Sequence, residues 1–411
     1  MQWLKHRSLV QWIGVALVAG VAAGLMLPEA LVPVAATLGD IVLRLLQMLI
    51  LPIVVSTIVV GINQSGPAAL GRTGAALAVY YVTTTAVAMS IGLVVALVFS
   101  PGDGLSLPAA GEGSAPTHPG TAALLASIVP TNIVTAFAQL NMLAVLFVAI
   151  VFGLGIAIAR RRADDPDGVA ALYRAVSGLE TVTLLLMRWV LAVLPIGIFA
   201  IVAHTVATQG TSALAALARL IGVFYLGLAG QLVFYGVLLL MAGVGITGFV
   251  RGARTATLTA FATQSSTGTL PVTLAAAQRL GVSRAVRGTA LPLGATINMD
   301  GAALRIAVSA VFAANIVGLD LGLAQLAMIV AVGTLISIGT AGVPGAGIVM
   351  IATVFSQVGL PMEAVALLSA IDALVGMGAT ALNVTGDLVG TVLIERFTRR
   401  QTNVAEPETA D

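Results

Sequence analysis

Two Ser/Thr/Gly kinks interrupt the apolar second half of the chain: Ser265-Ser266-Thr267-Gly268-Thr269 and Ser337-Ile338-Gly339-Thr340. Inside a bilayer there is no water to satisfy backbone N–H and C=O groups. A broken segment at that depth is tolerated only where it lines a cavity or a binding site. Each kink is followed by a run carrying an Asn and an Asp, namely Asn298 and Asp300, then Asn383 and Asp387. Interruptions at corresponding places in two half-repeats point to a solute site near the membrane midplane of a secondary transporter.

Composition agrees with a membrane setting. Of 411 residues, 59% are hydrophobic and 9% charged, against roughly 25% charged in a soluble protein. The net charge of +2 and the lack of a basic stretch with interleaved aromatics argue against nucleic-acid binding. With no cysteine, disulfides, thiolate metal sites and cysteine nucleophiles are excluded. His6, His118 and His204 are scattered and make no ligand spacing. Lys5 and Arg7 precede an apolar run without a convincing small-residue cleavage site, which reads as a first transmembrane helix rather than a removed signal.

Apolar runs fall at about 9–27, 31–62, 74–99, 122–159, 169–207, 214–249, 288–316 and 361–396, with broken runs at about 252–281 and 321–358. Pro130 and Asn141 predict that the fourth run splits. With both termini cytoplasmic, eight crossings place Arg72, Arg160-Arg161-Arg162, Arg251, Arg254, Arg279, Arg284, Arg287, Arg396, Arg399 and Arg400 inside. Arg219 is the awkward cation in that arrangement. The broken segments then enter from opposite faces as an inverted repeat. The expected fold class is therefore all-α integral membrane, with eight transmembrane helices and two oppositely oriented re-entrant hairpins. Residues 100–121 read as an external mobile loop, and 401–411 as a disordered tail.

Polar residues in the apolar runs mark the candidate site. Asp300 reads as a mid-helix aspartate, which costs ~2.5–3.5 kcal/mol on insertion scales unless it faces a partner or a site. Positions 372, 376, 379, 380, 383 and 387 recur at three- and four-residue steps and make one helical stripe. The blander alternatives are a structural Asp300 paired to Arg305 and a stripe of polar glue between helices. Alkali cations take carboxylate, amide, hydroxyl and freed carbonyl oxygens, while half-helix N-termini offer N–H groups to an anion. Gly339, Gly342, Gly345 and Gly347 permit backbone bends, and Pro271 and Pro344 are expected to end half-helices. Asp40 and Arg44 are spaced for an i,i+4 pair, and Arg188-Trp189 reads as an interface anchor or trimer contact.

The stretches Ser265 to Thr273, Leu291 to Gly301 (LPLGATINMDG), Ser337 to Gly347 (SIGTAGVPGAG) and Asn383 to Asp387 (NVTGD) occur in that order. Together with Tyr80-Tyr81 and Leu51-Pro52-Ile53 they resemble the dicarboxylate/amino acid:cation symporter family, the glutamate-transporter-like proteins. The resemblance covers essentially the whole chain. It implies a homotrimer working by an elevator motion, in a cytoplasmic (inner) membrane. Scaffold helices would lie in 1–73 and 122–210, and a transport domain in 74–99 and 211–400. It also implies three sodium sites: Gly294 and Asn383 carbonyls with Asp387; Tyr81, Thr84, Thr85, Asn298 and Asp300; and carbonyls of Thr296, Ser337, Ile338 and Thr340.

At the substrate positions the resemblance breaks down in a consistent way. Gly376 stands where amino-acid-transporting relatives have an aspartate for the amino group. Ala379 stands where they have an arginine for the side-chain carboxylate, Gln264 at a frequent hairpin arginine, and Ala302 at a substrate-facing threonine. Ser265, Ser266, Val343, Gly347, Thr380 and Asn383 remain as expected substrate contacts. Arg305, seven positions after Asn298 and three after Ala302, reads as projecting from the same helical face. It is expected to replace the missing guanidinium at a substrate carboxylate; the competing assignment is neutralisation of Asp300 or Asp372, or snorkelling. The combined reading is sodium-coupled import of a small organic anion, a dicarboxylate or a related acid. Alternatives are an amino acid symporter, proton coupling and an anion channel. An enzyme fits least, since no histidine lies near the Asp-bearing stripes.

Overall fold

The computed structural model describes residues 9–64, 72–105, 129–139, 142–162, 166–210, 212–338 and 346–405, which contain helices and no strand. In chain order the α-helices are α1 (Leu9–Gly24), α2 (Val32–Met48), α3 (Ile50–Gln64), α4 (Arg72–Phe99), α5 (Ile133–Ala138), α6 (Met142–Arg162), α7 (Pro166–Gln209) and α8 (Ser212–Met241). They continue as α9 (Ile246–Thr263), α10 (Ser266–Arg279), α11 (Arg284–Ile297), α12 (Asp300–Ile316), α13 (Leu323–Ile338), α14 (Ala346–Val358), α15 (Glu363–Ser369) and α16 (Asp372–Ala405). Five stretches among the described residues are long and apolar enough to cross a membrane: Gly74–Phe99, Asp167–Val190, Leu214–Met241, Arg284–Ile316 and Asp372–Thr398.

Several boundaries differ from the sequence expectation for identifiable reasons. The run 31–62 divides at Leu49, and Pro52, which has no N–H to donate, falls in the first turn of α3. The run 214–249 ends early because Gly243 adopts φ 72° and Val244 N–H donates to Leu239 O at 2.8 Å, closing α8 in a Schellman turn. The first broken segment therefore begins at Ile246 rather than near 252. Pro271 does not end a half-helix; it lies inside α10, early enough that most of the helix ladder follows it. The expected tail is helical as far as Ala405. The stretch 106–121 of the expected external loop lies outside the described residues. Its start does not: Pro101 O accepts from Asn315 Nδ2 at 2.9 Å, which ties the segment to α12.

The helices pack in two groups. α7 packs on α1, α2, α3 and α6, and α3 on α6. In the second group α12 packs on α4, α8 and α16, while α9 and α10 pack on each other and on α16. The groups touch through α7 on α8, α13 on α6, α14 on α2, and α15 on α2 and α7. The polar stripe is carried entirely by the second group.

Candidate functional site

Asp300 is not in mid-helix. Asn298 leaves the helical region (φ −83°, ψ 95°) and caps α11, Met299 bridges, and Asp300 is the first residue of α12. A carboxylate at a helix start lies beside unbonded N–H groups, a better place for it than a helix interior. Asn298 is therefore off the helix that carries Ala302 and Arg305, and the shared-face reading of all three does not hold.

The break brings α4, α8 and α16 around two carboxylates. Asp300 accepts from Thr85 Oγ1 at 2.6 Å, from Gln231 Nε2 at 3.3 Å and from the Tyr235 hydroxyl. Gln231 Nε2 also donates to Thr84 O at 3.3 Å, and Thr84 Oγ1 to Tyr81 O at 3.3 Å. Asp387 accepts from Asn298 Nδ2 at 3.0 Å, and the same amide donates to Asn383 O at 3.1 Å. Tyr81 donates to Ala290 O at 2.9 Å, and a methyl on Gly294 would fall 2.4 Å from Asp387 Oδ1 and 2.8 Å from the Tyr81 hydroxyl. Tyr81, Thr84, Thr85, Gly294, Asn298, Asp300, Asn383 and Asp387 thus occupy one buried neighbourhood. Tyr235 and Gln231 were missed from the sequence: Gln231, the one amide in α8, was a signal that could have found it, whereas Tyr235 gains its role only when Asp300 is placed against it.

Neither Asp300 nor Asp387 is within salt-bridge distance of a basic side chain among the described residues, where the ion pairs are Arg44–Asp40 and Arg305–Asp372. Two buried carboxylates held only by neutral donors call for a cation, since a buried charge is costly unless paired. Two orphan oxygens fit that role. Gln231 Oε1 and Asn298 Oδ1 are buried without a hydrogen-bond partner. Their amide orientations are set by chemistry: both Nε2 and Nδ2 face carboxylate and carbonyl oxygens, which can only accept. A hard cation of sodium's type suits such an oxygen set.

The remaining expected cation ligands make only local contacts or lie outside the described residues. Thr296 Oγ1 donates to Leu293 O at 2.9 Å and Ser337 Oγ to Thr334 O at 2.8 Å, while Ile338 ends α13. Thr340 lies outside the described residues, as do Val343 and Pro344.

Of the expected substrate residues, Thr380 and Asn383 lie on α16, and α10, which Ser265 caps and Ser266 begins, packs on that helix. Ser265 caps α10, its Oγ accepting from Gly268 N at 3.0 Å, while Gln264 before it takes a left-handed φ of 53°. Ser266 Oγ is buried without a partner. The Gln264 amide rests on Gly376: a methyl there would lie 2.7 Å from Gln264 Oε1. Thr380 Oγ1 donates to Gly376 O at 2.8 Å. Asn383 Oδ1 accepts from Gly301 N at 2.7 Å, and Gly301 approaches so closely that a methyl would sit 2.1 Å from Ala379 O.

Arg305 is buried, and its Nη2 pairs with Asp372 at the start of α16. Its other terminal nitrogen lies against Gly347, where a methyl would come within 2.2 Å. Arg305 thus reaches an expected substrate residue, and its partner here is the carboxylate that the competing assignment named.

The family model described as the sodium:dicarboxylate symporter family matches residues 9–397. A proton/glutamate-aspartate symporter of Escherichia coli (strain K12) is 32% identical, over 87% of this chain and 84% of its own length. A C4-dicarboxylate transport protein of Solibacter usitatus (strain Ellin6076) is 30% identical, over 95% and 92%. The human neutral amino acid transporter B(0) is 32% identical, over 98% and 83%. The cation-ready carboxylates and these full-length likenesses agree, and the chain belongs to the sodium:dicarboxylate symporter family of multi-pass membrane transporters, which are not enzymes.

Proposed function

We propose that this protein is a sodium-coupled symporter that imports a small carboxylate-bearing solute across the cytoplasmic membrane. The observation that carries the reading is the pair of buried carboxylates, Asp300 and Asp387, held by neutral donors beside the orphan oxygens of Gln231 and Asn298. Sodium in that oxygen set would neutralise charge that no basic side chain among the described residues neutralises. Tyr81, Thr84, Thr85, Asn298 and Asp300 would hold one ion, and Gly294, Asn383 and Asp387 a second. A third would use the carbonyls of Thr296, Ser337, Ile338 and Thr340.

Ser265, Ser266, Val343, Gly347, Thr380, Asn383 and Arg305 would receive the substrate between the two broken segments. Two substrate classes enter. The absence of an acid at Gly376 and of an arginine at Ala379 favours a dicarboxylate, as in the C4-dicarboxylate relative. The named amino acid transporters among the relatives support an amino acid. The two-group packing supports a scaffold (α1–α3, α5–α7) and a moving transport domain (α4, α8–α16) of the elevator kind. We assign it eight crossings, two opposed re-entrant hairpins, cytoplasmic termini and a homotrimer.

The test is thermal stabilisation of the purified protein by a panel of carboxylates and amino acids, in sodium and in potassium or choline. A ligand shift that needs sodium, followed by sodium-gradient-driven uptake into proteoliposomes, is the expected result. Equal shifts in choline would remove sodium coupling, and uptake without any cation gradient would replace the symporter with a channel.

A further inference from the structure

Arg305 and Asp372 form a buried ion pair at the substrate end of α16, with side-chain exposures of 6% and 5%. Arg305 is also the only buried arginine or lysine among the described residues. An anion that takes this guanidinium must share it with a carboxylate already bound there. Its own negative charge would then lie beside Asp372 in a low-dielectric pocket, where like charges repel strongly. A solute carrying a positive group next to its carboxylate meets no such conflict. Its carboxylate can approach the free side of the guanidinium while its cationic group approaches Asp372, so that opposite charges alternate.

The neighbours fit that arrangement. Asp372 lies one helical turn before Gly376 on the same face of α16. Gly376 is bare, and the Gln264 carbonyl oxygen lies over it. An ammonium above Gly376 would therefore have an anionic acceptor on one side and a neutral one on the other. On the Arg305 side the guanidinium lies against Gly347, where any side chain would collide with it. Thr380, one turn beyond Gly376, donates its hydroxyl to the Gly376 carbonyl, and the Ser266 hydroxyl, two residues after Gln264, is buried without a partner.

We propose that Asp372 is a substrate contact that reads an ammonium group, and that with Arg305 it makes the site selective for zwitterions, that is amino acids, over simple organic acids. The proposal rests on the carboxylate-transport reading above and decides between its two substrate classes.

Matched ligands that differ only in the amine test it on the purified full-length protein in sodium. Alanine is set against propionate, and aspartate against succinate, with apparent affinity read from thermal shift or calorimetry. The expected result is that the amine-bearing member of at least one pair binds ten-fold or more tightly. In Asp372→Asn the ratio within that pair should fall close to one, with the sodium-only stabilisation retained. Succinate and propionate both binding as tightly as their amine-bearing partners would overturn the proposal and leave the transporter reading standing. A ratio that survives in Asp372→Asn would overturn it as well. Should Asp372→Asn not fold with Arg305 left unpaired, the double variant Arg305→Met, Asp372→Leu removes both charges together; retained preference for the amine in that protein would equally defeat the proposal. Absence of any sodium-dependent ligand shift would instead bring down the transporter reading itself, and this inference with it.

Discussion

The two helix groups are both strongly apolar, yet they use their surfaces in opposite ways. In the apolar window of Asp167–Val190, on α7, 6% of the residues are buried, whereas in that of Arg284–Ile316, spanning α11 and α12, 94% are. The first group closes on itself through small residues: methyls on Gly20 and Gly24 of α1 would come within 2.9 and 2.6 Å of the Phe199 and Ala203 carbonyl oxygens of α7. Small residues of this kind let membrane helices approach closely without polar contacts. Its one ion pair among the described residues, Asp40–Arg44 at 2.8 Å, is exposed. The second group holds every buried charge of the described residues: Asp300, Arg305, Asp372, Asp387 and Glu395. Even Glu395, far along α16 from the cation cluster, is tied down, accepting from the Ser283 N–H and hydroxyl at 3.1 and 2.7 Å. One group offers an apolar face to lipid; the other keeps those charged side chains in the interior.

That contrast can be broken by substitution. The largest effect belongs to Asp387→Asn, which removes a carboxylate charge from the proposed ion site. Sodium affinity, read by sodium titration of the melting temperature, should fall by ~100-fold or more, about 2.7 kcal/mol, while Asp40→Asn leaves it unchanged. Equal responses at the two positions would end the distinction. Next comes packing. Gly301→Ala presses a methyl onto Ala379 and should cost about 1–3 kcal/mol together with a loss of substrate binding. Gly155→Ala on α6 meets nothing within 4 Å and should be neutral or stabilising by up to about 1 kcal/mol; thermal unfolding of both variants checks this. Gln231→Leu sharpens the contrast within the second group. It removes one donor to Asp300 and one orphan oxygen, and should lower sodium affinity about ten-fold, or ~1.4 kcal/mol. An unchanged sodium titration would mean that Gln231 only packs there. The smallest effect is Arg44→Ala, expected to change stability by less than ~0.5 kcal/mol, because an exposed i,i+4 pair contributes little.

Much of this was legible in the residues. The Asp40–Arg44 pair follows from spacing alone, because i,i+4 neighbours on a helix meet whatever the fold does. The α16 stripe is legible for the same reason: in the structure Asp372, Ala379, Asn383 and Asp387 meet α12 or the break before it, and Gly376 meets Gln264 between α9 and α10. Failures arose where a contact joined distant parts of the chain. Asp300 looked like a mid-helix residue because the break at Asn298-Met299 carries neither proline nor the Ser/Thr/Gly signature of the two kinks; the Asn298 side chain, bonded to Asn383 and Asp387, helps to hold it. Tyr235 and Gln231 become site residues only when α8 is laid against α4 and α12. Arg305 was recognised as unusual, but its partner, 67 residues away, was left as one of several choices.

By itself the sequence determined that this chain is helical, membrane-embedded and equipped with carboxylates in apolar surroundings. Those properties follow from composition, periodicity and the cost of burying charge, and each acts over a few residues at a time. Only the tertiary structure decided which carboxylates face neutral donors and which faces an arginine. That choice depends on the packing of helices far apart in sequence, and in a low-dielectric interior an oxygen's function is set by what lies within a few ångströms of it.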